Sequence, residues 1–282
     1  MTIPRIVSIA GSDSGGGAGI QADIKTITML GGHAMTAVTA ITAQNTLGVT
    51  EVMAVPTATV LAQIEAVVGD IGVDAVKIGM IGSAETAGAI ADYFTPSRPA
   101  ASPPPQGGRE VPVVFDPVMA ATTGAALADE ATIAAFARLM AVATLVTPNV
   151  PELAALTGLI VNSEAHLELA ARALAERHGI AVLAKGGHLA GGMLIDLLVD
   201  RDGTVTRWTS ERIETRHNHG TGCTLSSAIA VGLASGHPLP QAIGAARSYV
   251  RAAMLAAPGL GQGHGPMGHG LARPHFAPPE AG

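Results

Sequence analysis

The residues His219-Gly220-Thr221-Gly222-Cys223-Thr224-Leu225-Ser226-Ser227 lead into an apolar pattern at Ile229, Leu233 and Ala234, so glycines and small polar groups stand at a helix start. Backbone amides there lack intrahelical acceptors. Together with the positive end of the helix dipole they attract phosphate or a developing negative charge, and Gly220 and Gly222 leave room for its approach. One reading of a thiol in that field is a pKa lowered toward the ~3.5–7.5 range of cysteines at helix starts. Read alone, Cys223 is equally an inert, buried small residue.

A second glycine cluster, Gly11-Ser12-Asp13-Ser14-Gly15-Gly16-Gly17-Ala18-Gly19, follows the first apolar run and lets backbone approach a ligand closely. It contains Gly17-x-Gly19-x-x-Ala22, a loose match to the dinucleotide fingerprint. The match begins well after the run ends, and Ile41-Thr42-Ala43, where a ribose-binding acid would fall, holds no carboxylate. No Gly-Lys-Ser/Thr occurs, so a P-loop is absent. Asp116, in Phe115-Asp116-Pro117-Val118-Met119, and Glu152, in Thr147-Pro148-Asn149-Val150-Pro151-Glu152, each follow a strand-like run. Hard oxygen ligands of this kind suit Mg²⁺, directly or through water; singly, each reads as a cap or turn acid. Lys185, in Ala184-Lys185-Gly186-Gly187-His188, puts an ammonium at another such end, where phosphates could lie; a solvated lysine is the plain alternative. Gln44-Asn45 and Gly79-Met80 could line an organic ligand's pocket, and an amide supplies the donor and acceptor that a heterocycle with ring nitrogens and an amino group requires. His264 and His269, among the glycines of 261–270, read as part of a turn, since neither spacing nor neighbouring acids makes a metal site.

The elements that must position these groups alternate. Arg5 to Ala10, Val49 to Val55, Ala75 to Gly79, Val111 to Phe115, Leu145 to Thr147 and Ile180 to Ala184 read as buried strands. Helical periodicity lies between them, as at Ile20, Ile24, Ile27 and Leu30, or Leu167, Ala170, Ala171, Leu174 and Ala175. That alternation predicts a mostly parallel sheet with helices on both faces, whose ligands bind beyond the carboxyl ends of the strands. Leu194 to Val199 and Val205 to Thr209 flank Asp200-Arg201-Asp202-Gly203, which predicts a hairpin and an antiparallel edge. The Pro/Gly-rich stretch at about 95–110 is expected to be a surface loop rather than a domain boundary, and 271–282 a frayed tail.

Of the 282 residues, 48% are apolar and only 2% aromatic, so Ala, Val, Ile and Leu must fill the core. A formal charge of −6 gives no general pull toward nucleic acid or an anionic membrane, and an anionic ligand therefore needs a local site. One cysteine excludes an intrachain disulfide. Ile6 to Ala10 is too short for a signal sequence, and no run of ~18 apolar residues occurs. A soluble, cytoplasmic protein is the expectation.

Taken in order, Gly11 to Asp23, Thr39 to Thr46, Lys77 to Met80, Asp116 to Met119, Thr147-Pro148-Asn149 with Glu152, Lys185 to His188 and His219 to Ser227 resemble the hydroxymethylpyrimidine/phosphomethylpyrimidine kinases, over about Ile6 to His269. The resemblance implies a ribokinase-like α/β fold in one kinase domain over 1–270. It also implies two ATP-dependent steps of thiamine biosynthesis: 4-amino-5-hydroxymethyl-2-methylpyrimidine to its monophosphate, then to its diphosphate. By matching position, Gln44 and Asp23 would hydrogen-bond the aminopyrimidine, and Ala18 and Met80 would pack on it. Gly220, Thr221, Gly222 and Cys223 would surround the transferred phosphoryl group, Asp116 and Glu152 would serve Mg²⁺, and Lys185 the phosphates of ATP. The resemblance further implies a homodimer. Two departures from the pattern are the uncharged run Ala120 to Leu127 and a longer Pro-rich loop. A pyridoxal-type vitamin kinase on the same fold, a non-catalytic pyrimidine-binding protein and a nucleotide-dependent oxidoreductase are the competing readings.

Ribokinase-like sugar kinases usually place an aspartate where this chain has Cys223. Phosphoryl transfer depends more on positioning and charge stabilisation than on early proton removal, so a thiol can suffice. When the nucleophile is itself a phosphate, a fixed carboxylate ~5 Å away would repel it by about 3 kcal/mol at an effective dielectric of ~20, and a neutral thiol would not.

Overall fold

The computed structural model describes residues 3–95 and 110–270. Most of the Pro/Gly-rich loop expected at 95–110 and the tail expected at 271–282 lie outside the described residues.

The chain runs β1 (Arg5–Asp13), α1 (Gly19–Met29), β2 (His33–Gln44), β3 (Val49–Ala54), α2 (Thr57–Asp70), β4 (Ala75–Ile78), α3 (Ala84–Phe94), β5 (Val113–Phe115), α4 (Glu130–Met140), β6 (Leu145–Val146), α5 (Val150–Thr157), α6 (Glu164–His178), β7 (Ala181–Lys185), β8 (Met193–Val199), β9 (Val205–Glu211), α7 (Thr221–Ala234) and α8 (Leu239–Leu255). The strands form one nine-stranded sheet in the order β3-β2-β1-β4-β5-β6-β7-β8-β9. From β2 through β7 neighbours are parallel; β3 and the β8–β9 hairpin add antiparallel edges.

Alternation along the strands supplies both faces of the sheet. Ile6, Ala75, Val114, Leu145, Ala181 and Leu183 pack against α1, α7 and α8. Their neighbours Val7, Val76, Val113, Val146 and Val182 pack against α2 through α6. A sheet covered on both sides needs apolar residues at every position, which is why these strands read as continuous hydrophobic runs. Local chemistry fixes the helix ends. Ser83, Asp129 and Ser163 cap α3, α4 and α6, Asn149 and Glu152 form a reciprocal capping box on α5, and Gly158 and Gly179 close α5 and α6 in the left-handed conformation. The expected hairpin turn is present, with Gly203 at φ 82° and its amide bonded to the Asp200 carbonyl at 2.9 Å.

Two elements differ from expectation. The run at Val49 reads as a buried strand, yet β3 is the sheet edge, paired along one side with β2, and exposes Val52 and Met53. The longest strand, β2, is absent from the β-branched runs: alternating Ala and Thr give His33–Gln44 little hydrophobic contrast, and pairing with β1 and β3 makes it a strand. Among the described residues, no helix is long and apolar enough to cross a membrane.

Candidate active site

The chain order reverses across β1 and β4, and the groups singled out by type lie at the carboxyl ends of the parallel strands. Asp13 ends β1, Met80 follows β4, Asp116 follows β5, Glu152 lies in the first turn after β6, and Lys185 ends β7. They open onto a cleft of about 1020 Å³ that also touches Ala18, Gln44 and Gly220-Thr221-Gly222-Cys223. Helix α7 packs on β1, β4 and β5 and points its N-terminus into this cleft.

The helix start is built by glycine. Gly220, the N-cap, has φ 82°, and a Cβ there would lie 2.0 Å from the Gly17 carbonyl oxygen. A Cβ on Gly222 would stand 3.1 Å from Asp116 Oδ2 and 3.4 Å from Lys185 Nζ, so the first turn rests directly on that ion pair. Lys185 Nζ donates to Asp116 Oδ1 at 2.8 Å, and Thr147 Oγ1 donates to the same oxygen at 3.0 Å. Burial alone would lower the Lys185 pKa, but Asp116 and Glu152 outweigh it and hold the ammonium above its ordinary value. Glu152 takes the opposite course. Burial and the charge of Asp116 raise its carboxyl to about 7 against the pull of Lys185.

Of the two readings of Cys223, the structure favours the neutral thiol. Cys223 does not ionise readily at its helix start: burial comes first among the influences, Asp23 and Asp116 add to it, and the pKa is pushed up to about 11 despite Lys77 and the Gly19 amide. Burial decides the outcome and two acids close to the sulfur add to it, none of which is written in the spacing of the sequence.

Ala18, Gln44 and Met80, expected around the organic substrate, all line the cleft. Asp23 departs from its expected place on this wall. It is wholly buried, does not line the cleft, and has its oxygens taken by Ser8 Oγ (2.5 Å), Lys77 Nζ (2.8 Å) and Ser227 Oγ (2.7 Å). Lys77, also fully buried, is kept charged by Asp23 and Asp116 against the effect of burial. The pair ties α1, β4 and α7 together beneath the site.

Asp13 and His219, one from each glycine cluster, meet beside the cleft. Asp13 Oδ1 accepts the Gly15 amide at 2.8 Å, and Oδ2 accepts those of Gly17 and Ala18 at 2.9 and 2.8 Å and His219 Nε2 at 3.0 Å. Burial would raise its pKa, yet His219 and these amides hold it below the usual carboxylate range. Three amides two to five residues after an aspartate are an anchored turn, legible in retrospect from Asp13 preceding the glycines. His264 bonds Asn218 at 3.0 Å, and His269 is buried against Thr224 Oγ1 at 2.9 Å, its pKa lowered by burial to about 4.

Toward β8, β9 and α8 the cleft is bounded by Asp196, Arg212 and Arg247. Asp196 accepts the Gly186 amide at 3.1 Å and Arg247 Nε at 2.7 Å. Arg212 bonds the carbonyls of Gly187, Leu189 and Gly191, bracing the turn that follows Lys185.

Comparison with known proteins matches this arrangement to a family. The phosphomethylpyrimidine kinase family model covers residues 13–268. The chain is 49% identical over 267 residues to the hydroxymethylpyrimidine/phosphomethylpyrimidine kinase of Rhizobium meliloti, covering 93% of this chain and 96% of that one. To the bifunctional thiamine biosynthesis protein of Geobacter sulfurreducens it is 48% identical over 268 residues, covering 95% of this chain and spanning 52% of that protein. In three dimensions it resembles the pyridoxal kinase of Bacillus subtilis solved with ADP (TM-score 0.82, 32% identity, 95% of this chain and 98% of that one). It also resembles the phosphomethylpyrimidine kinase of Clostridium difficile (TM-score 0.74, 34% identity, 89% and 98%). A glycine-built helix start set on an acid–ammonium pair, in an α/β kinase fold and with this likeness over nearly its whole length, places the chain in the phosphomethylpyrimidine kinase family.

Proposed function

We propose that this kinase transfers the γ-phosphoryl group of ATP to the hydroxymethyl oxygen of 4-amino-5-hydroxymethyl-2-methylpyrimidine, and then a second phosphoryl group to the resulting monophosphate, as in thiamine biosynthesis. The observation that carries the reading is the contact of the α7 start with the Asp116–Lys185 pair, in a cleft that also holds Gln44.

In each step a substrate oxygen forms a bond to the γ-phosphorus while the bond to the bridging oxygen of ADP breaks. The first-turn amides of α7, at Gly222 and Cys223, face the charge that develops on the transferred group. Lys185 neutralises phosphate charge. Asp116 and Glu152 fit Mg²⁺, which retains much of its water and takes few protein oxygens; bound with ATP, the ion would screen the phosphates. Gln44 binds the heterocycle, while Ala18 and Met80 pack on its ring; Asp23 acts from beneath, by holding Lys77 and Ser227. Cys223, a neutral thiol, does not repel an incoming phosphate, so one pocket serves an alcohol in the first step and an ionised phosphate in the second. The proton of the alcohol leaves late, to a phosphate oxygen or water. The residues toward β8, β9 and α8 hold the nucleotide. The reading includes a homodimer, which sedimentation of the purified chain tests.

The deciding experiment is ADP release from Mg-ATP with the hydroxymethylpyrimidine, followed by mass analysis for mono- and diphosphate. Absence of both products overturns the reading. Likeness to pyridoxal kinases supports a second one, and side-by-side turnover of pyridoxal separates them.

A further inference from the structure

Gln44 sits in a hydrogen-bond chain whose polarity can be worked out. Its amide nitrogen, as placed, lies 3.2 Å from His219 Nε2, and its oxygen 3.2 Å from Thr42 Oγ1. Neither pairing survives a count of protons. Asp13 is an ionised acceptor, so His219 Nε2, 3.0 Å from Asp13 Oδ2, must carry the hydrogen. Nε2–H then faces the Gln44 nitrogen donor to donor. Thr42 Oγ1 has one hydrogen for two oxygens, and the nearer, the Ser12 carbonyl at 2.9 Å, can only accept and so takes it. That leaves the Thr42 oxygen facing the Gln44 oxygen lone pair to lone pair. Exchanging the nitrogen and oxygen of the amide moves no heavy atom and satisfies everyone: Nε2–H is shared between Asp13 and the Gln44 oxygen, and the Gln44 nitrogen donates to Thr42. With Nε2 protonated, Nδ1 is free to accept from Thr122 Oγ1 at 3.2 Å.

We propose that His219, held by Asp13, is a specificity-determining positioning residue that fixes the Gln44 amide with its oxygen toward His219 and its nitrogen toward Thr42. The proposal rests on the aminopyrimidine reading above. A 4-aminopyrimidine edge offers a donor, the exocyclic amine, beside an acceptor, the ring nitrogen. A Gln44 amide free to rotate would match that edge in only one of its two orientations. Fixed, it presents oxygen on the His219 side and N–H on the Thr42 side, and a ligand without the amino group leaves the oxygen with one partner fewer. Gly17 belongs to the same device. A Cβ there would lie 2.6 Å from His219 Cδ2, so the ring keeps its place only over glycine.

Two measurements test this. In the intact protein with ¹⁵N-labelled histidine, the His219 resonances should show a hydrogen on Nε2; a bare Nε2 overturns the assignment whatever the substrate proves to be. In kinetics, the wild type should prefer the hydroxymethylpyrimidine over its analogue with hydrogen in place of the 4-amino group. His219→Leu should narrow that preference, measured as a ratio of kcat/KM, by about tenfold, the equivalent of one hydrogen bond of ~1.4 kcal/mol, and mainly through KM. An unchanged ratio in a variant that still binds ATP and melts cooperatively overturns the proposal. If the wild type turns over neither pyrimidine, the functional reading fails, and the histidine spectrum still decides the amide.

Discussion

The N-cap of α7, Gly220, stands against the backbone of Gly17, with 2.0 Å between the carbonyl oxygen of one and the place a Cβ would occupy on the other. The two glycine clusters of the sequence, some two hundred residues apart, are thus halves of one joint. Its left-handed φ of 82° adds a second reason for glycine at 220. Gly220→Ala should lower kcat/KM by about a hundredfold or more, since a displacement of ~1 Å at a phosphoryl-transfer site costs that much. Steady-state ADP release measures it, and a drop in melting temperature should accompany it.

The buried Lys77–Asp23 pair is the second point of vulnerability. Lys77→Met leaves Asp23 without its cation in a dry interior and should destabilise the fold by about 3–5 kcal/mol. The double change Lys77→Met with Asp23→Leu should recover part of this loss. Urea denaturation of the two single variants and the double variant completes the cycle; additive losses would show that the two residues are not coupled.

Glu152 makes stability depend on pH. Its carboxyl is raised to about 7 in the fold from 4.5, so between those values the native state binds more protons than the unfolded chain. Stability from this group is full below about 4.5 and is lost as pH rises through about 7, by roughly a few kcal/mol. Glu152→Gln should flatten the fall, and Mg²⁺ should offset it most above pH 7, where the carboxylate is ionised. Thermal melts from pH 5 to 8, with and without Mg²⁺, measure both effects.

Cys223 should alkylate slowly near neutral pH, the rate still rising at pH 9 to 10, because its thiol titrates at about 11. In catalysis, Cys223→Ala should slow the alcohol step more than the phosphate step. Cys223→Asp should selectively impair the phosphate step, through repulsion of about 3 kcal/mol at ~5 Å and an effective dielectric of ~20. Mono- and diphosphate formation followed separately gives the two rates; equal losses in both steps would remove the cysteine's proposed role.

Much of this molecule is local information. The apolar runs that become β1, β4, β5, β6 and β7 are continuous because the sheet is covered on both faces, and the caps of α3 to α6 lie within three residues of the amides they serve. The glycines at 17, 220 and 222, the acids at 116 and 152 and the lysine at 185 could be singled out by residue type, because chemistry at a strand end or helix start uses few kinds of residue. Register, partner and charge state belong to the tertiary structure. Ala–Thr alternation did not mark β2 until β1 and β3 paired with it. Asp23, which its motif assigns to the ligand, faces Lys77, fifty-four residues away. The Cys223 thiol, whose helix start and small size leave two readings open in the sequence, is neutral because folding buries it, with Asp23 and Asp116 close by. Electrostatic energy depends on separation in space and on exclusion of water, and neither quantity is written in the order of the residues.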